Sequence, residues 1–492
     1  MKKQTLRQKA ASSMIWTTIQ RFAKFGISFI SGIFLARLLT PFDYGCIGML
    51  VIFVAVSEAF IDGGFGSALI QKKRPTQVDY STIFWWNMAL ALFLYAVLFF
   101  SAPAISRFYK IPLLRDVLRV QGLILIIYAL NLIQRNQLKK QLNFRILAKV
   151  RICTSIIALT ITIILAYNGF GVWSLVTQYL LQAAIPAVFF WSYTKWRPQW
   201  VFSWKSFKEL FSFGIYMFLT HLMAKFISQM QGLLIGKIYS PVTLGFYSKA
   251  SATERLASNT ISGVMTSVTF PLYAEVQDDR VKMQNMIKRL TMTISYITYP
   301  LMFILLLCAK PIFVGLYSDK WLHSVPYFQV LCLAGLAVCL HSVNLQTISA
   351  IGKSNIMFKW SVIKQCAVAL FMTGGLLVFG IKGLLAGFVS ASWFTYFVNI
   401  GLVSKYIGYK WQKQIYHILP VAIASSVCAI ISYFVVSMFN LSLYPDGICK
   451  FLLYVALYMG WSLIFKPEAY TYTLSILPLE RFKKRKKHKA SK

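Results

Sequence analysis

The sequence predicts an all-α integral membrane protein of about 14 transmembrane helices, arranged as two six-helix lobes plus two extra C-terminal helices. Three observations predict it: an apolar composition, a train of bilayer-length apolar runs, and a charge distribution that alternates with those runs. Of 492 residues, 58% are hydrophobic and 13% charged, the latter about half the ~25% usual in soluble domains. The mean hydropathy is +0.62. A soluble chain of this size needs more polar surface to stay dispersed. Disorder, collagen-like repeats and small disulfide scaffolds are excluded by the same composition.

Apolar runs of about 20 residues mark the spans. They fall near 14–39, 44–70, 82–103, 116–134, 150–167, 171–194, 210–236, 244–272, 290–309, 324–351, 356–379, 383–403, 415–437 and 448–465. Short loops and two tails remain, so function is expected inside or across the bilayer. The first run is interrupted by Arg21 and Lys24 and is followed by no small-residue cleavage site, so it reads as a retained span. The eight cysteines lie mostly in spans without a CxxC pair, which reads as structural filler.

The net charge is +37, and its placement decides its meaning. With the N-terminus cytoplasmic, cytoplasmic segments hold 35 of the 51 Lys and Arg residues, opposite-side loops 8 and span interiors 8. That bias is the positive-inside rule. It makes both termini cytoplasmic and leaves nucleic acid little to explain. From Tyr470 the tail reads as an interfacial segment on an anionic leaflet or as a solubilising basic tail that enforces topology.

An internal repeat appears at an offset of 200 residues. Between 21–45 and 221–245 the identities are Ile27/Ile227, Ser28/Ser228, Gly32/Gly232, Pro41/Pro241 and Gly45/Gly245. Pro and Gly sit at a hairpin in both copies, where proline presets the turn and glycine relieves sterics. A parallel repeat implies two lobes related by an axis along the membrane normal. The expected division is 1–205 (spans 1–6), 206–405 (spans 7–12), 406–468 (spans 13 and 14) and a basic cytoplasmic tail, 469–492.

Ionisable groups deep in a membrane are costly and normally face a cavity or a partner. Here the bases are Arg21, Lys24, Lys225, Lys249, Arg255 and Lys364, with His221 beside them; the acids are Glu58, Asp62 and Glu254. Lys24 shares a helical face with Thr17, Gln20, Arg21 and Ser28, and His221 shares one with Lys225 and Ser228. Glu58 and Asp62 stand at i, i+4. Bases outnumber acids, so these polar faces predict a cationic lumen for an anionic substrate. The acids are coupling-ion or charge-pair candidates, and the competing reading is a neutral interior in which Glu58 and Asp62 simply pair with the bases.

No catalytic or metal site is expected. Ile351-Gly352-Lys353-Ser354 lacks the P-loop glycine, because Thr347 stands in its place. The eight Asp include no DxD pair, and the five His show no ligand spacing. No Ser/His/Asp grouping points to acyl transfer. The expectation is a non-enzyme without a cofactor.

Several local motifs resemble a known family. Phe60-Ile-Asp-Gly-Gly-Phe-Gly-Ser-Ala-Leu-Ile-Gln71 is followed by Ser81-Thr-Ile-Phe-Trp85, Gln137-Leu-Lys-Lys-Gln-Leu-Asn-Phe-Arg145 and Gly169-Phe-Gly-Val-Trp-Ser-Leu-Val176. Leu244-Gly-Phe-Tyr-Ser-Lys-Ala250, Phe270-Pro-Leu-Tyr273, Asp319-Lys-Trp321 and Ala350-Ile-Gly-Lys353 come next. In combination, over about 10–410, they resemble the Wzx-type polysaccharide exporters, especially the colanic-acid-exporter branch. The resemblance implies a MATE/MOP-like fold of the multidrug/oligosaccharidyl-lipid/polysaccharide exporter superfamily in the bacterial inner membrane. It implies flipping of an undecaprenyl-diphosphate-linked oligosaccharide, with membrane lipids and polysaccharide polymerase or export proteins as partners. Related lipid II flippases carry bases in spans 1 and 8 of a cationic cavity, the spans that hold Arg21, Lys24 and Arg255 here. The rival readings are a multidrug antiporter of the same fold, which would favour an acidic cavity, a membrane glycan polymerase or ligase, which would need a larger periplasmic loop, and a non-transporting scaffold, which would need no charge inside the membrane.

Overall fold

The computed structural model describes residues 6–276, 279–351 and 354–476. Most of the basic tail and Gly352-Lys353 of the rejected P-loop motif lie outside the described residues. In chain order the helices are α1 (Leu6–Leu38), α2 (Pro41–Asp62), α3 (Phe65–Gln71), α4 (Gln77–Tyr109), α5 (Leu113–Lys140), α6 (Phe144–Tyr167), α7 (Val172–Tyr193) and α8 (Trp204–Ile238). They continue as α9 (Pro241–Glu275), α10 (Arg280–Leu307), α11 (Ala309–Tyr317), α12 (Val325–Ala350), α13 (Ser354–Ile407), α14 (Trp411–Ser437), α15 (Leu443–Phe465) and α16 (Glu468–Ile476). Among the described residues there is no strand, as expected where lipid cannot satisfy backbone polar groups.

Twelve helical stretches among the described residues are long and apolar enough to cross a membrane. One of them, 359–407, bends through non-helical angles at Phe379 and Gly380 and so comprises two of the expected spans. α9 is 35 residues long but is diluted by Lys249, Glu254, Arg255 and many Ser and Thr. With that bend and α9 counted, the fourteen expected spans are accounted for.

The chain folds as two compact units, Met1–Lys249 and Ala250–Lys492. In the first, α4 packs along α5, α1 along α6, and α2 along α8. α8, which the repeat assigns to the second lobe, packs within the first unit. In the second unit, α10 packs against α12, α14 and α16, and α12 runs beside α13.

The hairpins found by the repeat are built alike. Thr40 and Asp43 form a capping box at the start of α2, with Asp43 accepting from the Thr40 backbone N–H at 2.8 Å. At the start of α9, Ser240 Oγ accepts from the Thr243 N–H at 3.1 Å. Each cap is followed by a proline that is preorganised for the first helical turn. A capping side chain contributes about 1 kcal/mol. Thr40→Ala is therefore expected to lower the unfolding free energy of the detergent-purified protein by about that amount, read as a lower unfolding midpoint. A midpoint equal to wild type would show that the box contributes nothing.

The two helix starts lie against each other. A Cβ on Gly45 would stand 1.8 Å from the Pro241 carbonyl oxygen, and one on Gly245 would stand 1.8 Å from that of Pro41. The contact is reciprocal: small residues let the helix backbones touch, as membrane helices require where no hydrophobic force drives them together.

At its other end α2 stops at Gly63 (φ 51°) and Gly64 (φ 74°), a left-handed pair that turns the chain into α3. The Lys140 ammonium donates to the α3 carbonyls of Leu69 at 2.9 Å and Ile70 at 3.0 Å, and to that of Lys72. Lys72 itself pairs with Asp79 at 3.1 Å and Glu209 at 3.0 Å. Desolvation opposes its charge, but the two carboxylates outweigh that and hold its pKa above the usual lysine value. The link 194–203 is fastened to α4 by Gln199 N–H to Ser81 Oγ at 3.0 Å and Ser203 N–H to Thr82 Oγ1 at 3.1 Å. Trp200 stacks on Trp85 with ring centres 4.0 Å apart. Aromatic rings of this kind suit the headgroup level of a bilayer.

Candidate functional site

A cavity of about 810 Å³ lies inside the first unit, walled by α1, α2, α5, α6, α7 and α8. That volume is within the usual range for a ligand site. Along α5 it runs from Gln121 to Lys139, about 27 Å at 1.5 Å per residue.

Helical spacing builds each wall. On α1 the lining residues are Thr17, Gln20, Lys24 and Ser28; on α5 they include Tyr128, Asn131, Arg135 and Lys139. Both sets follow the three-and-four spacing of one helix face. α6 adds Arg151 and Thr154, α7 adds Tyr179 and Gln182, α8 adds Lys225 and Gln229, and α2 adds Glu58. Five bases thus face one acid. Among the described residues no ion pair joins Glu58 to any of them.

Arg135 is the best-held base. Its guanidinium donates to Tyr128 Oη at 3.2 Å and lies 5.3 Å from the centre of that ring. Its Nε is buried without a hydrogen-bond partner, as are Gln121 Oε1 and Thr154 Oγ1. Unsatisfied buried polar groups are costly and favour a ligand that satisfies them. The wall therefore offers guanidinium and ammonium groups to an anion, and amides and hydroxyls to a polyhydroxylated one.

Of the residues singled out in the sequence, Lys24, Lys225 and Glu58 are brought together on this wall. Arg21, His221, Asp62 and Lys249 belong to the same unit but do not line it. Arg21 is one residue, about 100° of helix, past Gln20; it is exposed, as Lys24, Arg151 and Lys225 on the wall also are. His221 is also exposed. Asp62 lies behind the wall, with Oδ1 3.2 Å from where a Gly66 Cβ would be, and acts electrostatically on Lys139. Lys249 is buried, donates to the Gly32 carbonyl oxygen and lies 5.5 Å from the Tyr44 ring centre. It ties α9 to α1.

Glu254, Arg255 and Lys364 are in the second unit. Glu254 is buried and accepts from Ser258 Oγ. Arg255 is exposed. Lys364 donates to Asn399 Oδ1 at 2.9 Å.

Three wall residues escape a charge count along the chain: Arg135, Lys139 and Arg151. The positive-inside count assigns all of 135–151 to a cytoplasmic loop, whereas α5 runs to Lys140 and α6 begins at Phe144. The spacing 128, 131, 135, 139 was the signal that could have found two of them. Among the described residues no group of three or more His, Cys, Asp or Glu could hold a metal ion.

A family model described as polysaccharide biosynthesis protein matches residues 34–326. The chain is 24% identical over 380 residues to the teichuronic acid biosynthesis protein TuaB of Bacillus subtilis (strain 168), covering 76% of this chain and 79% of that one. It is 24% identical over 399 residues to the succinoglycan biosynthesis transport protein ExoT of Rhizobium meliloti (strain 1021), covering 80% and 78%. To the lipopolysaccharide biosynthesis protein WzxC of Escherichia coli (strain K12) it is 22% identical over 388 residues, covering 78% and 79%. The inward closed conformation of the lipid II flippase MurJ matches with a TM-score of 0.71 at 15% identity, over 92% of this chain and 98% of that one. An inward-facing MATE transporter of the MOP superfamily matches with a TM-score of 0.62 at 14% identity, over 80% and 98%. The expected MOP-type fold and the resemblance to Wzx-type exporters are both met.

Proposed function

The chain belongs to the polysaccharide biosynthesis protein family, and from that premise we propose that it flips a lipid-linked oligosaccharide across the bacterial inner membrane. The substrate is an undecaprenyl-diphosphate-linked glycan, carried from the cytoplasmic to the periplasmic leaflet for surface polysaccharide synthesis. One observation carries this reading: the first unit holds an open polar cavity lined by five basic groups and one acid. A diphosphate bearing sugars cannot cross hydrocarbon unaided, because each unsatisfied polar group costs several kcal/mol there. Bases engage the diphosphate, while Gln, Asn, Ser and Tyr groups hydrogen-bond the sugar hydroxyls. The polyprenyl tail stays in lipid.

A membrane potential negative inside favours outward movement of the anion by about 2.3 kcal/mol per charge per 100 mV, before compensating motion of protein charge. The positive-inside bias supports cytoplasmic termini. Glycan polymerase or export proteins acting on the periplasmic product are the fitting partners, besides membrane lipids. A cationic-drug antiporter of the same fold would need the opposite cavity charge, which ranks that reading lower.

The test is reconstitution of the full chain in proteoliposomes loaded with an undecaprenyl-diphosphate oligosaccharide, whose exposure is followed with a membrane-impermeant glycosidase. Exposure is expected to be at least tenfold faster than in protein-free vesicles. Equal rates would end the proposal.

A further inference from the structure

We infer that Lys140, which does not line the cavity, is a positioning residue that aims the basic end of α5 into it. This deepens the transport reading above and rests on it. The Lys140 ammonium donates to three backbone carbonyls of one short segment, those of Leu69 at 2.9 Å, Ile70 at 3.0 Å and Lys72. The last carbonyls of a helix lack intrahelical partners, and a local glycine turn commonly satisfies them. α3 draws instead on a side chain 71 residues beyond Leu69 in the chain. That side chain belongs to the helix that carries Arg135 and Lys139 on the cavity wall.

Lys139 follows Arg135 at i, i+4, so both share the wall face of α5, whereas Lys140 is turned about 100° from Lys139. A tether on that second face fixes the roll of the helix end, and with it the direction in which the two wall bases point. Two features make the tether necessary. Like charges at i, i+4 destabilise the turn that bears them. α5 also stops at Lys140, and the chain leaves through Leu142 in a left-handed backbone (φ 56°), so the last turn is prone to fray. The other end of the tether is firmly seated. Gly64 sets α3 against the backbone of Gly214 on α8, and Phe65 packs on Phe207 and Phe211 of α8 with ring centres 5.6 and 6.1 Å apart. Lys72, just past α3, pairs with Asp79 of α4 and Glu209 of α8. α3 therefore links the end of α5 to α8, whose Lys225 lines the same cavity. The bases of two walls are held in place before a headgroup arrives, which lowers the ordering cost of binding.

The test uses the full chain in proteoliposomes with an undecaprenyl-diphosphate oligosaccharide. Initial flipping rates are read against substrate density and normalised to folded protein. Lys140→Met is expected to raise the apparent KM about tenfold, the scale of one lost charge-assisted contact, and to leave the maximal rate within about twofold. Hydrogen–deuterium exchange of the same variant in nanodiscs should be faster than wild type over 136–143 and unchanged over 179–193. Lys140→Ala leaves room for a small donor. Methylammonium, which like lysine has N–H groups to give, is expected to return KM to within about threefold of wild type. Tetramethylammonium, which has none, should leave it raised. Should neither variant fold, Lys140→Arg carries the comparison: a planar fork does not match carbonyls that converge on one ammonium, and KM is expected to rise about threefold or more.

A wild-type KM in the folded variant, or a loss confined to the maximal rate, overturns the positioning role and leaves the transport reading standing. Unchanged exchange over 136–143 overturns the clamp itself. Rescue by tetramethylammonium as complete as by methylammonium overturns the assignment to the α3 carbonyls. Wild-type flipping no faster than in protein-free vesicles overturns the transport reading and this inference with it.

Discussion

Arg135→Glu is expected to lower lipid-linked oligosaccharide flipping by about a hundredfold, with normal membrane insertion. Arg135 lines the α5 wall one turn from its Lys139 end, held on the face of Tyr128 at 5.3 Å with one guanidinium nitrogen still unpartnered. Reversal removes a charge-assisted contact to the diphosphate, worth about 1.5–3 kcal/mol, and sets a second carboxylate beside Glu58, which Arg135 otherwise balances. A loss near 3 kcal/mol corresponds to roughly two decades. Lys24→Glu and Lys225→Glu should fall in the same direction. Arg135→Lys keeps the charge but loses the planar fork and should cost only several-fold. The measurement is the initial flipping rate in proteoliposomes at matched protein density. Wild-type rates in all three reversals would eliminate the cationic cavity as the transport path.

The second large effect is steric. Gly45→Ala places a methyl carbon 1.8 Å from the Pro241 carbonyl oxygen, and Gly245→Ala does the same at Pro41. Backbone cannot rotate out of the way as a side chain can, so two helices must separate. We expect a loss of about 3 kcal/mol or more for either change, at or above the upper end of ordinary overpacking. It should be visible as a collapse of detergent-extractable folded protein and of the unfolding midpoint. Gly26 provides the control. Nothing lies within 4 Å of its Cβ position, and Ala there should be neutral or gain up to about 1 kcal/mol of helix propensity. Similar behaviour of all three variants would mean that the hairpin contact is not tight.

Much of the architecture was legible because bilayer physics writes itself into composition. Span length, loop polarity and the repeat of Pro41 and Gly45 at Pro241 and Gly245 follow from rules that act locally. What stayed hidden depends on where helices end. The α5–α6 turn occupies only 141–143, so Arg135, Lys139 and Arg151 lie on helical faces rather than in a loop, and no count of Lys and Arg along the chain separates the two cases. Lys249 illustrates the reverse. Its depth in an apolar run marked it as a lumen residue, but its ammonium reaches the Gly32 carbonyl oxygen on α1. Depth alone does not tell a residue that binds from one that braces. Likewise Arg21 and Lys24 share a stripe on a helical wheel, and only the folded arrangement distinguishes Lys24, which lines the cavity, from Arg21, which does not.

The break between α2 and α3 has a consequence for how this sequence can drift. A Cβ on Gly64 would stand 2.1 Å from the carbonyl oxygen of Gly214 on α8, and Gly64 also holds a left-handed backbone. When two side chains collide, trimming one restores the fit, and such pairs wander together over generations. Here the obstructing atom belongs to the main chain, which every amino acid carries. No exchange at 214 can act as a suppressor for a change at 64, so the locus is an evolutionary dead end, closed to compensation from its own partner.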